Sequence, residues 1–269
     1  MRLSIDALIE TAYQRVIPLY SFDGRNRPHV LASGVPFAQA DDAFLITAAH
    51  SCFEDGKPLP LFVYGKERPH ALNLLRGAWE YRAGETPDLD LAVIGLRPDC
   101  VADLAKGHLF ARPGDVGTVL PKTPGVHYLI AGYPGSRNRK RPVEYGLPGR
   151  ATALVTGDVC TVVGVDSPDK SDDTHFALDF PHTTIPRAGG GEFRVPPPSG
   201  MSGGGVWRVE VDVRTRLASR PLLVGIGIEF YPARRKFVAT RIQQAAPLAA
   251  DLVAELQKLG PNIPPCPSL

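Results

Sequence analysis

The 269-residue chain has only four cysteines, Cys52, Cys100, Cys160 and Cys266, and they lie far apart. No Cys-x-x-C pair occurs, which argues against zinc-ribbon and thioredoxin chemistry and leaves free buried thiols as the expected state. The chain also lacks an excess of either charge. Thirty basic residues stand against 28 acidic ones, a net of +2, so nothing in the composition would draw a nucleic acid or a membrane surface. No apolar run approaches the ~18 residues of a membrane span. The first twenty residues lack the basic flank, apolar run and small-residue cleavage site of a secretory leader. A cytoplasmic protein is therefore expected.

What the chain has in plenty is turn residues. It carries 27 glycines and 27 prolines, about a fifth of its length against a usual share of roughly 12%. Between them lie short apolar runs that read as β-strands: Val30-Leu31, Ala43 to Thr47, Leu59 to Tyr64 and Leu91 to Ile94. A second cluster follows: Val116 to Leu120, Tyr128 to Ala131, Ala151 to Val155, Cys160 to Val165, Phe176 to Leu178, Val206 to Val213, Leu222 to Ile228 and Lys236 to Thr240. Two clusters predict two barrels, joined near Pro98 to Pro113. Helical spacing appears at the ends. Ile5, Leu8, Ile9, Ala12, Tyr13 and Val16 predict a helix capped by Ser4, and Ile242 to Leu259 alternate as an amphipathic helix. The expected organisation is an N-terminal helical extension (1–20), a first β-barrel (21–112), a second β-barrel (113–242), and a C-terminal helix with a Pro-rich tail (243–269).

Two stretches read as long loops. Ser136 to Gly149 holds Arg137, Arg139, Lys140 and Arg141, most simply a solvated basic loop. Asp179 to Gly200 holds Gly189-Gly190-Gly191, which reads either as the hinge of a lid or as a surface insertion.

Three segments carry chemistry. A serine hydroxyl is a poor nucleophile unless a base takes its proton, a third group orients the base, and donors meet the developing oxyanion. Gly200-Met201-Ser202-Gly203-Gly204 offers a serine among glycines, which permit a tight turn and close approach to substrate. Its Gly-x-Ser-x-Gly spacing also fits the nucleophile elbow of α/β-hydrolases, but that fold places its histidine after the serine. None of the seven histidines follows Ser202. A subtilisin order needs an aspartate before the histidine. Asp41 and Asp42 are available, but the strand-rich pattern argues against that fold. The order left is His50, at the end of an apolar run, then Asp90 before Leu91-Ala92-Val93-Ile94, then Ser202. Asp88 is a rival to Asp90 on these grounds.

Together these segments resemble the trypsin/chymotrypsin-like serine proteases, in their bacterial form. Thr47-Ala48-Ala49-His50 resembles the histidine segment, Asp90-Leu91-Ala92-Val93-Ile94-Gly95-Leu96 the aspartate strand, and Gly200 to Gly204 the serine loop. Ser33-Gly34-Val35-Pro36-Phe37, Ala131 to Gly135, Leu223 to Ile228 and Val238 to Ile242 extend the likeness. The resemblance implies an all-β fold of two antiparallel six-stranded barrels with terminal helices. It selects Asp90 over Asp88. It further implies a His50–Asp90–Ser202 triad, an oxyanion hole from the backbone N–H groups of Gly200 and Ser202, a polypeptide substrate, and no metal or organic cofactor. By the same alignment Pro196 stands at the base of the primary pocket. Ile228, Glu229 and Phe230 line one wall, and Phe237 intrudes from the next strand. A small or apolar preference follows, with Glu229 favouring a basic residue as the alternative.

The chain departs from that family in two places. Met201 stands where secreted relatives carry an aspartate that pairs with a newly freed N-terminus, so no activation of that kind is expected. The usual disulfide positions are empty, which fits a reducing compartment. No appended recognition domain is visible, so a regulatory protein partner is the expected source of any specific target. The competing functions are a catalytically silent binding or scaffold module and an esterase or acyltransferase on the same fold.

Overall fold

The computed structural model describes residues 3–23, 25, 27–54, 57–72, 77–80, 89–138, 151–156, 159–160, 170–180, 184–186, 192–212 and 214–259. Two antiparallel sheets dominate it. The first is built from β1 (Ile17–Phe22), β2 (Pro28–Gln39), β3 (Asp42–Ala48), β6 (Phe62–Tyr64), β7 (Pro69–Ala71), β8 (Gly77–Glu80) and β9 (Leu91–Gly95), in the order β7-β6-β1-β2-β3-β9-β8, with β4 (Phe53–Glu54) and β5 (Lys57–Pro58) forming a small separate hairpin. The second contains β10 (Val126–Gly132), β11 (Thr152–Thr156), β12 (Val159–Cys160), β13 (His175–Asp179), β16 (Gly205–Glu210), β17 (Leu222–Tyr231) and β18 (Lys236–Arg241), in the order β11-β10-β16-β17-β18-β13-β12. Here β14 (Thr184–Pro186) and β15 (Glu192–Arg194) make the separate hairpin. Each sheet thus has seven segments, or the expected six strands once the short edge segments β7 and β12 are set aside. This is the chymotrypsin-like double barrel.

The strands read as continuous apolar runs because both of their faces are buried. On β3, Leu45 faces the interior of the first barrel while Phe44 and Ile46 face a core lying between the barrels. On β10, Tyr128 and Ile130 point into the second barrel, and Leu129 and Ala131 join Phe44 and Ile46 in the shared core. A one-residue slip would exchange the two sets, so packing fixes the register.

The terminal helices cross over. α1 (Ile5–Gln14) starts as expected at Ser4, whose Oγ accepts the Ala7 N–H at 3.2 Å. Its Leu8 and Ala12 pack with Leu129, Ala131 and Trp207 of the second barrel. α2 (Pro98–Leu104) lies in the joining segment with Pro98 at its start, and buries Cys100 and Leu104. α3 (Gly135–Asn138) is a single turn. α4 (Ala245–Leu259) follows a 3₁₀ turn at Ile242–Gln244 and sets Leu248 and Leu252 against Leu89, Leu91 and Val93 of the first barrel.

Some expectations are corrected. Val116 to Leu120 is not a strand. Val116 makes one parallel bridge to Leu223, after which side chains take over the backbone carbonyls: Gln243 donates to Gly117 O at 2.6 Å and Arg208 to Thr118 O at 2.7 Å. Satisfied in this way, the segment needs no ladder. Conversely, β1 and α2 were not foreseen. Residues 139–149 of the basic loop, Asp88, Gly189 to Gly191, residues 161–165 of an expected strand, Cys266 and the tail from Pro261 lie outside the described residues.

Cys52 and Cys100 are free and buried. Burial pushes both thiols up to about 12, with Asp90 adding to the effect at Cys52 and Asp99 and Asp103 at Cys100. Only about one in ten thousand is then thiolate at pH 8. Mass mapping after brief exposure of the native protein to iodoacetamide should find both unmodified, and both alkylated in urea. Native modification of either would overturn this assignment.

Candidate active site

Strand pairing brings His50 and Asp90 together. β3 pairs with β9 so that Ala48 faces Leu91, which sets the residues just beyond β3 beside the one just before β9. Ala49–Cys52 forms a 3₁₀ turn there. The Ala49 N–H donates to Asp90 O at 3.1 Å, and the His50 N–H donates to Asp90 Oδ1 at 2.8 Å. The His50 ring Nδ1 lies 2.6 Å from Asp90 Oδ2. One carboxylate thus holds both the backbone and the ring of His50, which fixes the ring orientation and places the donor proton on Nδ1. Asp90 itself has φ +46°, a left-handed conformation that aspartate tolerates better than most residues. Thr240 of β18 donates to Leu89 O at 2.5 Å, pinning the preceding peptide from the other barrel.

The serine loop is a compact turn. Met201 N–H donates to Pro198 O, Gly204 N–H to Met201 O, and Gly203 N–H to Gly227 O at 2.7–2.8 Å. Gly200 and Gly203 take φ of +88° and +80°, which glycine adopts without Cβ strain. Neither the Gly200 nor the Ser202 N–H has an acceptor among the described residues, so two donors next to the serine stay open. The Met201 side chain is fully buried in the core of the second barrel with Ile130, Val206 and Val224. An apolar thioether at this position suits an apolar site, and the loop is shaped by hydrogen bonds.

The most important of those bonds come from Ser33 on β2, a fully buried polar residue. Its N–H donates to Ser202 O at 2.8 Å, and its Oγ donates to Gly200 O at 2.9 Å while accepting the Tyr133 N–H at 2.8 Å. Its carbonyl accepts from Thr47 Oγ1 at 2.7 Å. Ser33 therefore ties the serine loop to the barrel that carries His50. In Ser33→Ala the Tyr133 N–H and Gly200 carbonyl lose a buried partner, at about 1–3 kcal/mol. We expect a lower melting temperature and a slower reaction of Ser202 with an acylating reagent. An unchanged rate alongside a lowered melting temperature would restrict Ser33 to stability.

His50, Asp90 and Ser202 line one open cavity of about 580 Å³. The Ser202 Oγ is directed at Ile228 O, 3.4 Å away, and makes no hydrogen bond to His50. Nucleophile–base contacts are commonly loose before substrate arrives. One wall is apolar: Pro198, Ile228, Phe230, Pro232 and Phe237, with Phe180 behind, its ring centroid 4.9 Å from that of Phe230. The other is charged. Lys170 and Glu229 both line the cavity. Lys170 Nζ donates to Glu229 Oε2 at 2.9 Å and Tyr231 Oη donates to the same oxygen at 2.7 Å. Burial opposes the charge on Glu229, but these bonds and the charges of Lys170 and His50 outweigh it and hold the carboxyl below its ordinary range.

Of the residues expected in the pocket, Ile228, Glu229, Phe230 and Phe237 line it, whereas Pro196 is buried and does not; Pro198 and Ser199 of the same stretch do. Sequence reasoning missed Lys170 and the tie through Ser33. A serine and glycine interrupting the apolar run of β2 was the available signal for Ser33. Lys170 had none. Among the described residues no group of three or more His, Cys, Asp or Glu side chains forms a metal site, and no described helix is long and apolar enough to cross a membrane.

No protein-family model matches the sequence, and no curated protein matches it. Solved structures do match in outline. The active form of the Rv3671c protease from M. tuberculosis aligns at 15% identity over 93% of this chain and 88% of that one, with a TM-score of 0.48. A serine-to-alanine mutant of Rv3671c in an inactive form aligns at 14% identity over 93% and 92%, TM-score 0.49. The inactive form of the Rv3671c protease aligns at 15% over 93% and 97%, TM-score 0.48.

Proposed function

We propose that the chain is a serine endopeptidase. The observation that carries this reading is the double grip of Asp90 on His50, at 2.8 and 2.6 Å, in the same cavity as a serine flanked by two open N–H groups. A carboxylate that fixes the ring through Nδ1 leaves Nε2 as the base. Ser202 Oγ attacks the substrate carbonyl carbon as its proton passes to His50 Nε2. The carbonyl oxygen becomes an oxyanion held by the N–H groups of Gly200 and Ser202. Collapse returns the proton to the leaving amine and leaves an acyl-enzyme, which water hydrolyses by the same steps. Asp90 stabilises the imidazolium that forms twice in the cycle.

The apolar wall around Phe230 and Phe237 supports an apolar side chain beside the scissile bond. The buried free thiols of Cys52 and Cys100 support a reducing, cytoplasmic setting. A regulatory protein partner remains our proposal for target choice. The test is a fluorophosphonate probe on the purified protein, with the adduct located by mass spectrometry and cleavage followed on casein and a peptide library. An adduct at Ser202 with peptide cleavage is expected. A protein that neither labels nor cleaves is a binding module, and one that cleaves only esters is an esterase.

A further inference from the structure

The two walls of the cavity meet at β17, where a register shift against β18 between Gly227 and Glu229 leaves Ile228 without a partner and alternation resumes from Glu229 to Phe230. Glu229 stands with Tyr231 on the charged side, Phe230 packs against Phe180 and Phe237 on the apolar side, and Ile228, whose carbonyl faces Ser202, packs with Val238 and Tyr231. Glu229 is held rather than hidden. The hydrogen bonds from Lys170 and Tyr231 both go to Oε2, and Oε1 has no partner among the described residues. Its side chain is 44% exposed, against 12% for that of Lys170. The group offered to a ligand is therefore the carboxylate and not the ammonium. With His50 neutral, the charges that line the cavity among the described residues are Lys170, Glu229 and Asp90, a net of −1. A cation placed here is also favoured by that balance.

We propose that Glu229 is a specificity-determining residue that binds a basic side chain of the substrate, adjacent in sequence to the apolar residue at the scissile bond. This rests on the peptidase reading of the same cavity. An extended peptide presents consecutive side chains to opposite sides, as Glu229 and Phe230 do, so one apolar and one basic residue in succession match the two walls. Lys170 and Tyr231 hold the carboxylate in place for that contact. The side chain of Lys170 also offsets part of the charge on Glu229, which moderates the preference.

The test uses the full chain carrying Ser202→Ala, so that binding is read without turnover. Fluorescein-labelled heptapeptides contain one Leu, with Arg, norleucine or Glu placed in turn on either side of it, and affinity is read by anisotropy. Arg on one side should bind about five- to tenfold more tightly than norleucine, and added salt should shrink the difference. Adding Glu229→Gln should erase the difference. Adding Lys170→Met should widen it, an effect that a merely structural pair would not give. Equal binding of Arg and norleucine peptides, preference for Glu, a preference surviving Glu229→Gln, or no binding of any peptide overturns the proposal. Fluorophosphonate labelling of the unmutated protein separates the two failures. Labelling without an Arg preference defeats the role of Glu229 alone. An Arg preference lost in Glu229→Gln without labelling defeats the peptidase reading alone.

Discussion

Ser202→Ala is expected to abolish fluorophosphonate labelling and to lower kcat on any peptide substrate by about 10⁴–10⁶-fold. The fold should be untouched, since the Ser202 Oγ has only a long 3.4 Å contact to Ile228 O. Its backbone ties, the carbonyl accepting from Ser33 N and the open N–H, are those of any residue. Melting temperatures of the two proteins should therefore agree within a few degrees. Asp90→Asn should cost about 10⁴-fold, because an amide in place of the carboxylate orients the wrong tautomer of His50. Mass spectrometry and steady-state kinetics read both. Full activity in Ser202→Ala would move the chemistry to another group, and His50 and Asp90 would then need a different partner.

Among the described glycines, Gly203 is one where an added methyl group should be severely damaging. A Cβ at Gly203 would overlap the Ser33 carbonyl oxygen and Thr47 Oγ1, and the backbone there has φ +80°. Overpacking costs about 1–3 kcal/mol and a left-handed alanine about 1–2 kcal/mol more. Together they amount to a large part of the ~5–15 kcal/mol by which domains are stable. The expected drop in melting temperature is roughly 4–20 °C, with loss of Ser202 labelling well below that temperature because the serine loop and β2 are forced apart. Gly107, where an added Cβ meets nothing within 4 Å, is the control. Gly107→Ala should change neither property. If both glycine variants melt together, the loop tolerates separation from β2.

How much of this was legible in the sequence depended on whether the cause was local. His50 and Asp90 were readable because each borders a short apolar run, and the pairing of those two runs then places them side by side. The Ser4 cap and the crossing helices' apolar faces were readable from spacing alone, although not which barrel each helix would cover. β1 was missed because Val16-Ile17-Pro18-Leu19-Tyr20 continues the apolar pattern of the preceding helix without a break, and Pro18 speaks against a strand. In the structure Pro18 pairs opposite Ser33 within the sheet, next to a register shift at Leu19/Tyr20. Val116 to Leu120 failed in the other direction: it has strand composition, but Arg208 and Gln243 satisfy its carbonyls. The Ser33 and Lys170 contacts join residues 167 and 59 positions apart, and no local pattern encodes them.

The crossing of the terminal helices has a consequence for how the molecule comes into being. Leu89, Leu91 and Val93 flank and follow Asp90, and their outer face is covered by Ile242, Leu248 and Leu252, which follow the second barrel in the chain. During synthesis the first barrel leaves the ribosome with that face bare, and the tie from Thr240 to Leu89 is still unmade. The strand that follows Asp90 gains this apolar cover only when α4 docks. The pairing of His50 with Asp90 is therefore laid down early in the chain and covered late, once α4 packs against β9.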